Sequence, residues 1–134
     1  MKRWVVPAVV AFIAIFAADF LIHGVWLSGF YHEHAQWWRP ESQMKALMPF
    51  MTLAQLILAL LLTAVYGKGY ESGKGGLGQG VRFGFLMGLL LFAPATLMQY
   101  CIYPYPGSLL ASWLVGGVAE ATLAGAAIGA LYKK

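Results

Sequence analysis

Four apolar runs alternate with short polar segments along this chain, at residues 4–30, 46–66, 83–103 and 109–131. The first has Asp19 as its only acidic residue and His23 as its only histidine, the second and third carry no charge, and the fourth is broken only by Glu120. Each run holds 21 to 27 residues, enough to cross a hydrocarbon core about 30 Å thick with some tilt. An open chain in lipid must satisfy its backbone groups internally, so all four are expected to be helices. The predicted fold is all-α: a single four-helix transmembrane bundle occupying residues 1–134.

Composition narrows the function classes. Hydrophobic residues make up 60% of the 134 positions and charged residues only 10%, with a mean hydropathy of +0.70. Soluble domains carry about 25% charged residues, so an aqueous enzyme, a nucleic-acid binder and a multidomain architecture are all disfavoured. The net charge of +4 reads instead as an orientation signal. Seven basic residues (Lys2, Arg3, Lys68, Lys74, Arg82, Lys133 and Lys134) fall with the termini and the loop between the second and third runs, against two, Arg39 and Lys45, on the other side. The positive-inside rule then makes both termini cytoplasmic, with a bacterial inner membrane as the expected location. Aromatic residues Trp26, Tyr31, Trp37, Trp38, Tyr103, Tyr105 and Trp113 gather at the opposite, outer interface.

The segment 67–80 holds seven glycines and is expected to be a flexible tether. Its Gly73-Lys-Gly75-Gly-Leu-Gly78 has the letters of a dinucleotide fingerprint, but a transmembrane run precedes it where a strand is required. No cofactor is expected. Cys101 is the only cysteine, which removes the CxxC redox motif and any internal disulfide.

Small residues recur every fourth position at Gly80, Gly84 and Gly88 and again at Gly117, Ala121, Gly125 and Gly129. Such spacing lets helix backbones approach closely. It serves either a contact between the third and fourth runs or an interface with another chain. Gly84, Gly88, Gly117 and Gly125 are therefore interface candidates, together with Trp37 and Trp38 in the outer loop. Those tryptophans read first as an anchor for the second helix, and otherwise as a dock for another subunit or a cap over a cavity. Pro40 and Glu41 suit the first turn of a helix, with the acid at its positive end.

Polar residues inside the runs carry the candidate chemistry. Counting from the outer ends puts Asp19 and Glu120 at one depth, with Gln55 close to it and His23 and Gln99 one or two turns nearer the outside. An ionisable residue at bilayer depth costs about 2.5–3.5 kcal/mol on insertion scales and is rarely without a partner. The two acids are expected to share a proton with each other or with His23. Asp19, His23, Gln55, Gln99 and Glu120 thus form a proton or cation site, or a set of polar contacts that holds the bundle together. In the second case Asp19 pairs with His23, while a neutral Glu120 hydrogen-bonds Gln55 or the Leu90 carbonyl that Pro94 frees. A separate outward set, His32, His34, Met44, Met48 and Met51, offers the imidazole and thioether ligands that copper(I) prefers. No catalytic constellation in an aqueous setting is present.

The pattern Asp19-Phe-Leu-Ile-His23-Gly-Val-Trp, Trp38-Arg-Pro-Glu41, Tyr66-Gly-Lys-Gly-Tyr-Glu71, Arg82-Phe-Gly84 and Tyr103-Pro-Tyr-Pro resembles small bacterial four-helix membrane proteins of uncharacterised function. The resemblance implies the fold and no activity. The leading expectation is a non-enzymatic membrane protein that acts by association, as a homo-oligomer or an accessory subunit of a larger complex. The alternatives are a small proton-linked or cation transporter and an outward-facing copper-binding protein.

Overall fold

A computed structural model describes residues 2–133, and every regular element in that range is helical. Helix α1 (Lys2–Asp19) continues directly into a π-helical stretch, Phe20–Trp26. Short helix α2 (Ser28–Glu33) and a 3-10 turn, Ala35–Trp37, follow, and then come α3 (Glu41–Lys68), α4 (Gly76–Ile102) and α5 (Gly107–Leu131). Four helices, Arg3–Trp26, Glu41–Lys68, Gly76–Ile102 and Gly107–Leu131, are long and apolar enough to cross a membrane. Met1, Lys134 and the side chain of Lys2 lie outside the described residues.

Three boundaries differ from the sequence expectation. The first long helix stops at Trp26 rather than residue 30, because Leu27 leaves helical geometry at φ −96°, ψ 1°. Helix α3 starts at Glu41, five residues before the apolar run, with Glu41 in its first turn and Lys45 3.1 Å from it one turn on. Helix α4 starts at Gly76, so the glycine-rich tether shrinks to residues 69–75. Low helix propensity at Gly76 and Gly80 is overridden by packing. A Cβ at Gly76 would collide with the carbonyl of Gly129, and one at Gly80 with that of Gly125.

Those collisions belong to one antiparallel seam. Gly76, Gly80, Gly84 and Gly88 of α4 lie against Gly129, Gly125, Ala121 and Val118 of α5, backbone on backbone. Gly117 carries the same face further, against the ring of Phe92. The small residues offered as interface candidates are therefore used inside the chain. Gly84, Gly88, Gly117 and Gly125 are buried there, and a second chain cannot occupy the same surface.

Around the seam, α5 packs on α1 and α1 on α3, while α3 and α4 scarcely touch. The core lies toward the end that holds the N-terminus of α1, where Ala11, Ile15, Ala59, Leu62, Tyr66, Ala124 and Ile128 bury one another. An aromatic cluster closes that end: the ring of Tyr66 lies 6.0 Å from Tyr70, 5.3 Å from Phe83 and 5.4 Å from Tyr132. The buried Tyr66 hydroxyl donates to the carbonyl of Gly76 at 3.4 Å. We call this the terminal end and the other the loop end. At the loop end, residues 41–54 of α3 are exposed on all sides.

Candidate functional site

The gap between α3 and α4 is a cavity of about 340 Å³ that all four long helices line. Its polar wall is the set expected from the sequence: Asp19 and His23 from the first helix, Gln55 from α3, Gln99 from α4 and Glu120 from α5. Thr96, Phe92 and Trp113 complete much of the remainder. The apolar runs alone could not show that the five polar side chains converge.

Asp19 is the hub. Gln55 Nε2 donates to its Oδ2 at 2.6 Å, and His23 Nε2 stands 3.8 Å from its Oδ1. Glu120 brings its carboxyl within hydrogen-bonding reach of that of Asp19, from the most buried position in the set, at 5% exposure. The expected shared level of the two acids is realised as direct contact. Gln55 bonds Asp19 rather than Glu120, which differs from the alternative in which Gln55 or the freed Leu90 carbonyl held Glu120.

A second shell runs from Asp19 toward the loop end. Trp113 Nε1–H donates to the hydroxyl of Tyr31 at 2.7 Å, and that hydroxyl is 2.7 Å from His23 Nδ1. Indole only donates, so the proton of Tyr31 is free to point at His23 Nδ1. Its own proton then sits on Nε2, on the side of Asp19. Each donor in the row Trp113, Tyr31, His23 thus faces the next group inward. Burial pushes the Tyr31 phenol above its usual range, against the opposing pull of the Trp113 bond, so Tyr31 keeps its proton throughout the neutral range. Tyr31 and Trp113 read from the sequence as interfacial aromatics, and their eight-residue and 82-residue separations from their partners give no local signal.

The backbone here is unusual. From Phe20 to Trp26 the helix is wound with i→i+5 bonds, one of which is Leu27 N–H to Ile22 C=O at 2.9 Å. Winding of this kind widens a helix and is frequent at functional sites. His23 lies inside it and Asp19 immediately precedes it.

Asp19, His23 and Gln55 also border a second cavity, of about 370 Å³, on the other side of the Asp19–Gln55 bridge, with Met48, Met51 and Phe16. The outward copper candidates are divided. Met48 and Met51 belong to this cavity, whereas His32 and Met44 line another of about 390 Å³. His34 stacks on Phe30 at 4.1 Å. Both loop histidines bond backbone carbonyls through Nδ1, His32 to Ser28 at 2.7 Å and His34 to Phe30 at 2.9 Å. Among the described residues no group of three or more His, Cys, Asp or Glu could hold a metal ion. Trp37 and Trp38 join Tyr105 in an aromatic cluster, with ring centroids 5.8 and 5.6 Å from it, and Trp38 lies 6.3 Å from Trp113 above the cavity.

No family model, curated protein or solved structure matches this chain.

Proposed function

We propose that this is an integral membrane protein of a bacterial inner membrane, with its terminal end in the cytoplasm, that works as a small proton-linked carrier. The cargo is a small cation received from the loop end. The observation that carries this reading is the contact between Asp19 and Glu120 in a cavity lined by four helices. Two carboxyl groups in hydrogen-bonding contact hold one proton between them, and a cation arriving at the same oxygens competes for that place. Phe92 and Trp113 offer aromatic surface to an organic ammonium in the same cavity. The charge bias of the flanking segments supports the orientation.

The test is purified protein in liposomes with a pH-sensitive dye inside. A gradient of a small organic ammonium should drive proton movement in the opposite direction, and Glu120→Gln and Asp19→Asn should each abolish it. Coupled flux that persists in Glu120→Gln sinks the proposal, because a group that only holds helices together tolerates the amide.

One observation favours association as a second reading: every residue from 41 to 54 of α3 is exposed. Native mass spectrometry of the protein extracted mildly from its own membrane tests it, since stoichiometric foreign subunits would make that half-helix the first interface to probe.

A further inference from the structure

The cavity of about 390 Å³ at the loop end lacks both acids and adjoins their site at His23; it lies between the 27–40 segment and the start of α3. We propose that it binds the headgroup of a membrane phospholipid, and specifically a phosphoethanolamine headgroup. Arg39 lines it, and among the described residues Arg39 makes no ion pair or hydrogen bond. Trp38 lines it too, and its indole N–H is buried without an acceptor. A phosphoryl oxygen supplies the charge-assisted acceptor that the exposed Arg39 guanidinium lacks. His32 is on the same wall with Nδ1 already bonded to Ser28, which leaves Nε2 toward the cavity or solvent.

The charges also select among headgroups. Glu41 also lines the cavity, and its carboxylate pairs with the exposed Lys45 through Oε1 at 3.1 Å. The second oxygen is available to a primary ammonium. A cavity lined by one guanidinium and one carboxylate that are not paired with each other suits a zwitterion better than a net anion. A trimethylated ammonium has no N–H for Glu41, and a glycerol headgroup has no cation for it. The aromatic cluster at this end marks the level at which headgroups lie, and Met44 with Tyr31 gives an apolar flank for the glycerol and first methylenes.

The inference rests on the membrane placement proposed above and not on proton linkage. The experiment is native mass spectrometry of the full chain released from nanodiscs of equal phosphatidylethanolamine, phosphatidylglycerol and phosphatidylcholine. One phosphatidylethanolamine should be retained in preference to the others. Arg39→Gln should lower its retention about tenfold, the scale of one charge-assisted contact, while Glu41→Gln should bring phosphatidylethanolamine down to the level of phosphatidylglycerol. Arg39 makes no ion pair or hydrogen bond among the described residues, so an unchanged unfolding midpoint should certify the variant as folded. Equal retention of the three lipids, or no effect of Arg39→Gln, overturns the site. Binding of inorganic phosphate in detergent as strong as that of the lipid overturns it in favour of a free anion. If the wild type keeps no lipid of any class, the membrane placement itself fails.

Discussion

The two ends of the bundle are built on different principles. At the terminal end, helices approach through glycine and alanine, rings fill what remains, and the buried polar groups among the described residues are Thr63, bonded to the Ala59 carbonyl at 2.8 Å, and the Tyr66 hydroxyl. At the loop end, α3 stands away from α4, and the space between them is lined by two acids, a histidine and two amides. Close backbone packing in lipid gains from dispersion along the whole seam. Because the α4–α5 seam supplies so much of that contact, the opposite end can stay open without the bundle coming apart. Cohesion and chemistry are thus separated along the helix axis.

The comparison breaks first at the seam. Gly125→Leu must push against the backbone of Gly80 and Gly84, and overpacking of a core costs about 1–3 kcal/mol, occasionally more. We expect a loss at or above the top of that range, measured as thermal unfolding in detergent. Gly78, on the same helix but with nothing within 4 Å, gives the control. Gly78→Ala should stabilise by up to about 1 kcal/mol through helix propensity, so Gly78→Ala and Gly80→Ala must have opposite signs.

The next effect is at the open end. Glu120→Ala removes the buried partner of Asp19, which is itself only half-buried and keeps its bond from Gln55, at about 0.5–1.5 kcal/mol. Glu120→Gln should restore most of that stability while remaining dead in the flux assay. Full stability together with full activity in the alanine variant would remove the acid pair from both roles. A double-mutant cycle between Asp19 and Gln55 should give a smaller coupling, about 0.6 kcal/mol, typical of polar contacts between membrane helices.

The smallest effect is outside both halves. In the 69–75 loop, Lys74 pairs with Glu71 and holds its carboxyl below the usual range. A lowered carboxyl pKa contributes stability above its ordinary value that is lost as pH falls through the lowered one. Both groups are exposed, so Lys74→Ala should leave the unfolding midpoint at neutral pH unchanged. A clear shift would mean that the loop is part of the closed end rather than a connection between its helices.

Much of this was readable from the residues. The four long helices, the small-residue seam and the common depth of Asp19 and Glu120 follow from hydropathy and from counting along helices. Helix starts were misplaced where polarity and structure part company: Glu41, Ser42, Gln43 and Lys45 are polar yet helical, and Gly76 is helical because α5 lies against it. Tyr31 and Trp113 were read as interfacial residues, since nothing local links either of them to His23. The sequence likewise contains no mark of the π-helical turn beyond Gly24, because i→i+5 winding arises from tertiary accommodation rather than from propensity.

That turn makes the chain tolerant of a length change at one place. A helix that has taken up a surplus residue in wide winding can give it back. Deletion of Gly24 would let the segment return to 3.6 residues per turn while Asp19 and the 27–40 segment keep nearly their present faces. The same deletion in the regular winding of α4 would rotate everything beyond it by about 100°. Chains related to this one should therefore tolerate the loss of one residue between Phe20 and Trp26 more readily than in the middle of α4 or α5.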